Sequence, residues 1–202
     1  MRRMRTLLFG LLVACGAGSL FAASLPPACQ TALRRALDAD AAWRMTRTLP
    51  GALRPLVSTG LVSCARFRGI VWDMRAPLPL AITLTTNAMV FADEEGMRVK
   101  DLDSLPYYAE IRARTDAFAD GDATAFDGLF DWRAWMAPDG KGWALALKPA
   151  LAPLRRLFTR IDLSGAAEIT NVTWRTPQQG DIRLDFTELG RGTHRLWEKP
   201  AK

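Results

Sequence analysis

The chain has 202 residues, enough for one sizeable domain and too few for two. With 49% hydrophobic and 24% charged residues it has ordinary globular content, which excludes a disordered or low-complexity protein. The formal net charge is +6. Without Arg2, Arg3 and Arg5 the chain has 24 basic and 21 acidic residues, so the net charge falls to about +3. The basic residues are dispersed, so we expect no nucleic-acid partner.

Residues 1–24 read MRRMRTLLFGLLVACGAGSLFAAS, a basic start followed by an apolar run and then small residues. This order is typical of a secretory signal peptide, and we expect cleavage near Ser24. An alternative comes from Leu12–Cys15, which resembles a bacterial lipobox. In that case Cys15 would be acylated, and the protein would be anchored to a membrane.

Two cysteines, Cys29 and Cys64, remain if Cys15 leaves with the signal peptide. An even pair in an oxidising compartment predicts a disulfide between them. The alternative is two buried, unpaired thiols.

The first element after the signal is a predicted helix from Pro27 to Ala42, with Leu33, Leu37 and Trp43 at helical spacing. Alternating and β-rich segments then predict strands. They cover Pro55–Ala65, Ile70–Arg75, Leu80–Thr86, Ala88–Ala92 and Met97–Leu102.

Residues 104–130 return to a spacing of three to four between apolar residues, which predicts two short helices. The break lies at Asp120–Asp122, and Asp122 is placed to cap the second helix. A hairpin with a Pro-Asp-Gly turn follows over 131–149, then a helical turn at Pro153–Phe158. The last predicted strands are Thr159–Leu163, Glu168–Arg175 and Asp181–Phe186.

This order of elements predicts an α+β fold. We expect one curved antiparallel sheet over residues 25–190, with helices against one face, and a polar C-terminal tail over 191–202.

Residues for catalysis are scarce. The single histidine, His194, lies in the polar tail, and the acidic clusters suit turns and helix caps better than paired acid–base work. No nucleotide-binding glycine motif is present, and the residues DGDATAFD lack the spacing of a calcium loop. We expect no catalytic site, no metal and no cofactor.

Large apolar residues are frequent by contrast, and the chain has seven tryptophans. One interpretation is that they fill an ordinary core. The other is a concave, aromatic-lined cavity for an aliphatic ligand, closed by a movable helical lid when empty. The expected cavity wall consists of the inward positions of the predicted strands: Ile70, Trp72, Met74, Leu80, Ile82, Leu84, Trp143, Leu145, Leu147, Ile182, Leu184 and Phe186.

The stretch from Gly60 to Pro77, GLVSCARFRGIVWDMRAP, resembles the strand–turn–strand signature of LolA, a periplasmic carrier of outer-membrane lipoproteins. Gly60, Arg66, Trp72 and Pro77 fall in register with that signature. A weaker resemblance extends over about residues 33–186. Residues 107–130 resemble a divergent LolA-like subgroup associated with export of glycolipids or aryl-polyene pigments.

The resemblance implies an incomplete antiparallel β-barrel whose concave face is covered by helices. It implies acylated cargo, either lipoprotein or glycolipid, taken from an inner-membrane donor and passed to an outer-membrane acceptor by a monomer in the periplasm of a Gram-negative bacterium. Arg66 matches the arginine that holds the lid closed through hydrogen bonds to helix backbone. A surface arginine beside a turn is the alternative.

Cys64 and Arg66 are two residues apart, so on a strand they point to the same face. A Cys29–Cys64 bridge would then tie the first helix to the sheet and leave the helices of residues 107–130 as the mobile part. Two other functions stay open. One is a LolB-type acceptor anchored through Cys15, and the other is an envelope assembly or scaffold protein that uses the sheet only as a core.

Overall fold

The computed structural model describes residues 24–104, 113–114, 117–118, 120–178, 180–191, 194 and 196–197. The helices are α1 (Pro27–Ala36), a 3₁₀ helix (Ala123–Phe126) and α2 (Ala152–Leu157). The strands are β1 (Ala39–Thr48), β2 (Leu56–Ala65), β3 (Gly69–Ala76), β4 (Leu80–Leu84), β5 (Ala88–Asp93), β6 (Gly96–Asp101), β7 (Phe130–Met136), β8 (Trp143–Pro149), β9 (Arg160–Gly165), β10 (Ile169–Thr176) and β11 (Gly180–Arg191).

All eleven strands belong to one antiparallel sheet in the order β6-β5-β4-β3-β2-β1-β11-β10-β9-β8-β7. The first strand is the centre of the sheet, because β1 pairs with β2 on one side and with β11 on the other. The described strands do not close the sheet, since β6 and β7 are its two ends. The expected α+β fold, a curved antiparallel sheet forming an incomplete barrel, is confirmed.

One face of the sheet carries most of the large apolar side chains that are buried. Trp72 lies opposite Val62 on β2 and opposite Ile82 on β4, and cross-strand partners share a face. The same rule links β8 to β11 through the pairs Leu145–Leu163, Leu163–Val172 and Val172–Leu184. The twelve residues predicted for the cavity wall therefore all lie on this inner face.

Helix α1 is shorter than predicted. The helix begins with Pro27, which suits a first-turn position, and it ends at Ala36 rather than at Ala42. The prediction was wrong beyond that point because residues 39–48 form β1. Trp43 is a buried strand residue there, in register with Gly60 and Phe186.

The other predicted elements agree with the structure to within a few residues, apart from β11, which continues to Arg191. The second short helix is the 3₁₀ helix, and Asp122 caps it as predicted by accepting a hydrogen bond from the Thr124 amide at 2.9 Å. The first short helix, predicted over residues 104–119, lies mostly outside the described residues.

The core has two parts. The helix cluster joins α1 and the 3₁₀ helix to β8 through the buried residues Leu25, Cys29, Ala32, Phe126, Trp143, Leu145 and Leu147. The sheet cluster lies around β1 and β2 and consists of Ala41, Trp43, Val62 and Leu184, with Ile70, Trp72, Met74, Trp174 and Phe186 against it.

Candidate functional site

An apolar cavity of about 240 Å³ lies between the end of α1 and the inner face of the sheet. It draws on both parts of the core, since Ala32 belongs to the helix cluster and Val62 to the sheet cluster. Its described lining comes from α1, β1, β2, β3, the turn before β10, β10 and β11. The residues are Ala32, Arg35, Ala36, Ala39, Ala41, Val62, Cys64, Ile70, Trp72, Glu168, Ile169, Val172 and Phe186.

Small side chains leave this space open. Ala36 ends α1, and Ala39 and Ala41 follow on β1, so a row of methyl groups faces the larger Trp72 and Phe186. Ala41 shares the inner face of β1 with Trp43. Replacing any of these alanines by a larger residue would fill the cavity.

Aromatic stacking fixes the far wall. The rings of Trp43 and Trp72 stack at 4.7 Å between centroids, and Phe186 meets Trp72 edge-on at 6.5 Å. Both arrangements are favourable for aromatic pairs, so they hold Trp72 in one orientation. The wall is therefore shaped before any ligand arrives.

Two charged side chains, Arg35 and Glu168, take part in the described lining. The Arg35 guanidinium donates a hydrogen bond to the carbonyl oxygen of Ala167 at 3.2 Å. This contact ties the last turn of α1 to the turn between β9 and β10. The cavity is thus a mainly apolar space with two charged residues in its described lining, a chemistry that suits an aliphatic chain bearing a polar end.

The structure divides the predicted cavity residues into four groups. Ile70, Trp72 and Phe186 line the cavity. Trp143, Leu145 and Leu147 lie beneath α1 in the helix cluster, and the remaining buried positions are Ile182 and Leu184. Half-buried positions on the same face of β3 and β4 are held by Met74, Leu80, Ile82 and Leu84.

Sequence analysis missed most of the lining, including Ala32, Ala36, Ala39 and Val172. The available signal was the alternation of Ala39, Ala41, Trp43 and Met45, which marks an inward strand face with small residues at one end. That signal was hidden because the same residues continue the apolar spacing of α1.

The predicted Cys29–Cys64 disulfide is not formed, and both cysteines are free. Cys29 is packed into the helix cluster, whereas Cys64 lines the cavity on β2, so the two thiols face different surroundings. Burial raises the pKa of each thiol to about 11, with the carboxylate of Asp40 adding to the shift at Cys64. At neutral pH both thiols are therefore protonated, and thiolate chemistry is suppressed.

Arg66 follows the end of β2. Its guanidinium donates a hydrogen bond to the Asp120 carboxylate at 2.7 Å and lies 5.3 Å from the ring centroid of Phe67. The resemblance implies helix backbone as the acceptor, but this hydrogen bond ends on a side chain. Asp120 precedes Gly121, where an added Cβ would lie 2.6 Å from the carbonyl oxygen of Gln30 on α1. Arg66 thus links the sheet to a segment that lies against α1.

The C-terminal tail also contacts the fold near this end of the sheet. His194 Nε2 lies 3.0 Å from the Asp38 carboxylate, just after α1. The Arg68 guanidinium lies 5.0 Å from the ring centroid of Trp197. Two points of the tail therefore lie against the α1–β1 and β2–β3 connections.

Among the described residues, no cluster of three or more His, Cys, Asp or Glu side chains is arranged to hold a metal ion. Within the same part of the chain, no helix has the length and apolar character needed to cross a membrane.

No protein-family profile matches the chain, and no curated protein matches it in sequence. Solved structures with a similar fold include a LolA superfamily protein from Nitrosomonas europaea, with 9% identity over 84% of this chain and 94% of that chain, at a TM-score of 0.43. The MucA/MucB complex of Pseudomonas aeruginosa gives 12% identity over 86% of this chain and 56% of that chain, at 0.44. A DUF1329 family protein from Desulfovibrio piger gives 10% identity over 82% and 92%, at 0.39.

Proposed function

We propose that this protein is a carrier that holds an acyl chain in the cavity between α1 and the sheet and takes acylated cargo through the periplasm toward the outer membrane. The observation that carries the proposal is the cavity itself, about 240 Å³ of space with eleven of its thirteen lining residues apolar. The LolA-like signature over residues 60–77 supports the same function. The role is binding, and the protein performs no reaction on its cargo.

The volume of the cavity limits the affinity for an acyl chain. Its volume of about 240 Å³ has room for about eight groups the size of a water molecule, at about 30 Å³ each. About eight methylenes at ~0.8 kcal/mol each would contribute at most about 6 kcal/mol before the cost of association, so the dissociation constant for one chain is tens of micromolar or weaker. Such modest binding suits a protein that takes cargo from a donor and releases it to an acceptor without an energy source.

A cargo with more than one acyl chain needs more room than this cavity provides. The inner face continues past the cavity along β3 and β4, where Met74, Leu80, Ile82 and Leu84 are only half-buried. Helix α1 is fixed by the helix cluster through Cys29 and Ala32, which are fully buried. We therefore place further chains along β3 and β4 rather than beneath α1.

Filling the cavity tests the proposal. Ala36→Phe places a ring in the space beside Trp72, and we expect the affinity for a fluorescent fatty-acid probe to fall at least about tenfold, because the probe loses most of its buried methylenes. The measurement is a fluorescence titration on the chain from Leu25, the form expected after signal-peptide removal.

The matched control is Ala152→Phe, the same change at an exposed position on α2. It should leave probe affinity unchanged, and circular dichroism should show both variants folded. Equal probe affinity in Ala36→Phe and the unmodified protein would refute the cavity as the binding site.

A further inference from the structure

The turn between β2 and β3, Arg66-Phe67-Arg68, has an unusual conformation. Phe67 has a φ of 69° and is 82% exposed. Positive φ favours glycine or asparagine and is an outlier for a bulky side chain, yet this ring is not buried in return. Strained residues of this kind are concentrated at functional sites, so the turn is a candidate contact surface.

The turn lies at the cavity end of the sheet. Cys64 and Ile70, which flank it on β2 and β3, both line the cavity and are directly paired. Arg34 and Arg35 in the last turn of α1 are near the same end, because the following strand begins with Ala39 opposite Cys64. Exposed aromatic surface, arginines and the cavity therefore lie together.

Arg66 connects this surface to the segment around Gly121, which lies against α1. Its side chain is 42% exposed and that of its partner Asp120 is 68% exposed. Ion pairs this exposed are weak, so a phosphate that approaches the turn can replace the carboxylate as the acceptor for Arg66.

We propose that the β2–β3 turn docks on an anionic lipid surface, and that Arg66 there exchanges Asp120 for a lipid phosphate. The ring of Phe67 enters the headgroup region, as aromatic residues of surface-bound proteins do, while Arg68 pairs with a phosphate. Loss of the Arg66–Asp120 bond removes a side-chain hydrogen bond between the sheet and the segment around Gly121 at the moment of membrane contact. This inference rests on the proposed function, since it says where a carrier of acyl chains meets a membrane.

The test is vesicle cosedimentation with the chain from Leu25, free of any acyl probe. We expect binding to phosphatidylcholine vesicles that contain phosphatidylglycerol, weaker binding to phosphatidylcholine alone, and loss of binding at high salt. Phe67→Ser should lower the affinity about tenfold and Arg68→Gln about fivefold. Asp120→Asn should raise it, because Arg66 is then free to bind phosphate and one negative charge is lost. The rise should be smaller in the Arg66→Gln background, whereas a rise caused by the lost charge alone would be equal in both backgrounds.

The matched control is Leu53→Ser, which removes a fully exposed apolar side chain from the β1–β2 loop at the opposite end of the sheet. Its vesicle binding should equal that of the unmodified protein. If Phe67→Ser binds vesicles as well as the unmodified protein does, the docking surface is refuted. If the unmodified protein does not bind anionic vesicles at all, the docking surface is also refuted, and the turn would contact a protein partner instead. Because the acyl-probe titration contains no vesicles, failure of the carrier function and failure of the docking surface give separate results.

Discussion

At the scale of single residues, Gly60 on β2 explains how Trp43 of β1 and Trp72 of β3 stack across the strand between them. The residue lies on β2 opposite Trp43 of β1 and Met74 of β3, and an added Cβ would stand 2.0 Å from the Asp73 carbonyl oxygen and 2.6 Å from Cζ2 of Trp43. Only a hydrogen fits there. The glycine of the LolA-like signature thus has a packing reason in this chain.

Gly60→Ala should therefore destabilise the fold by about 2 kcal/mol or more, because the Asp73 carbonyl is backbone and cannot move cheaply. Urea denaturation followed by tryptophan fluorescence measures the change. Gly190→Ala is the control, since nothing lies within 4 Å of its added Cβ, and we expect it to stay within about 1 kcal/mol of the unmodified protein. If the Gly60→Ala protein were as stable as the Gly190→Ala protein, the close packing at Gly60 would not be required for stability.

At the scale of elements, the sequence predicts most strands but misses β1. Trp43 fits both a helix stripe with Leu33 and Leu37 and a strand stripe with Ala41 and Met45. The strand forms because β1 pairs with β2 on one side and with β11 on the other. The pairing with β11 joins residues that are far apart in the chain. The period of a short segment cannot report such long-range hydrogen bonds.

The segment around Gly121 lies against α1, and we expect it to open more easily than that helix. Its amides bond locally, Gly121 to the Phe118 carbonyl and Asp122 to the Ala117 carbonyl. Phe118 and Ala123 pack against the helix cluster, and the described side-chain hydrogen bond from the segment to the sheet is Asp120 with Arg66. Arg66→Gln should raise hydrogen exchange at the Gly121 and Asp122 amides by up to about fivefold, the worth of an exposed ion pair, and leave α1 unchanged.

Arg75→Gln is the control for that experiment, since it removes an exposed ion pair of the same kind with Asp73 inside β3. It should leave exchange at Gly121 and Asp122 at its original rate. Equal hydrogen exchange at these amides in Arg66→Gln and the unmodified protein would show that Arg66 does not hold this segment closed.

At the scale of the whole molecule, one inner face serves two purposes. Near β8 it is packed under α1 as core, and near β2 and β3 it is the wall of a cavity. Sequence alone identifies this face, since all twelve predicted residues lie on it, but it does not separate Trp143, which is core, from Trp72, which lines the cavity. Both are apolar inward residues, and only the position of α1 and the small size of Ala36 and Ala39 distinguish them.

Native mass spectrometry of the protein isolated from the cells that make it is the most direct test of acyl-chain binding, because the mass of the protein together with any cavity occupant is then measured. We expect a fraction of the protein to carry an added mass that fragments to acyl chains, and we expect that fraction to disappear in Ala36→Phe but remain in Ala152→Phe. A protein that is always recovered at its bare mass, under conditions that preserve a control lipid complex of similar affinity, would contradict the carrier function.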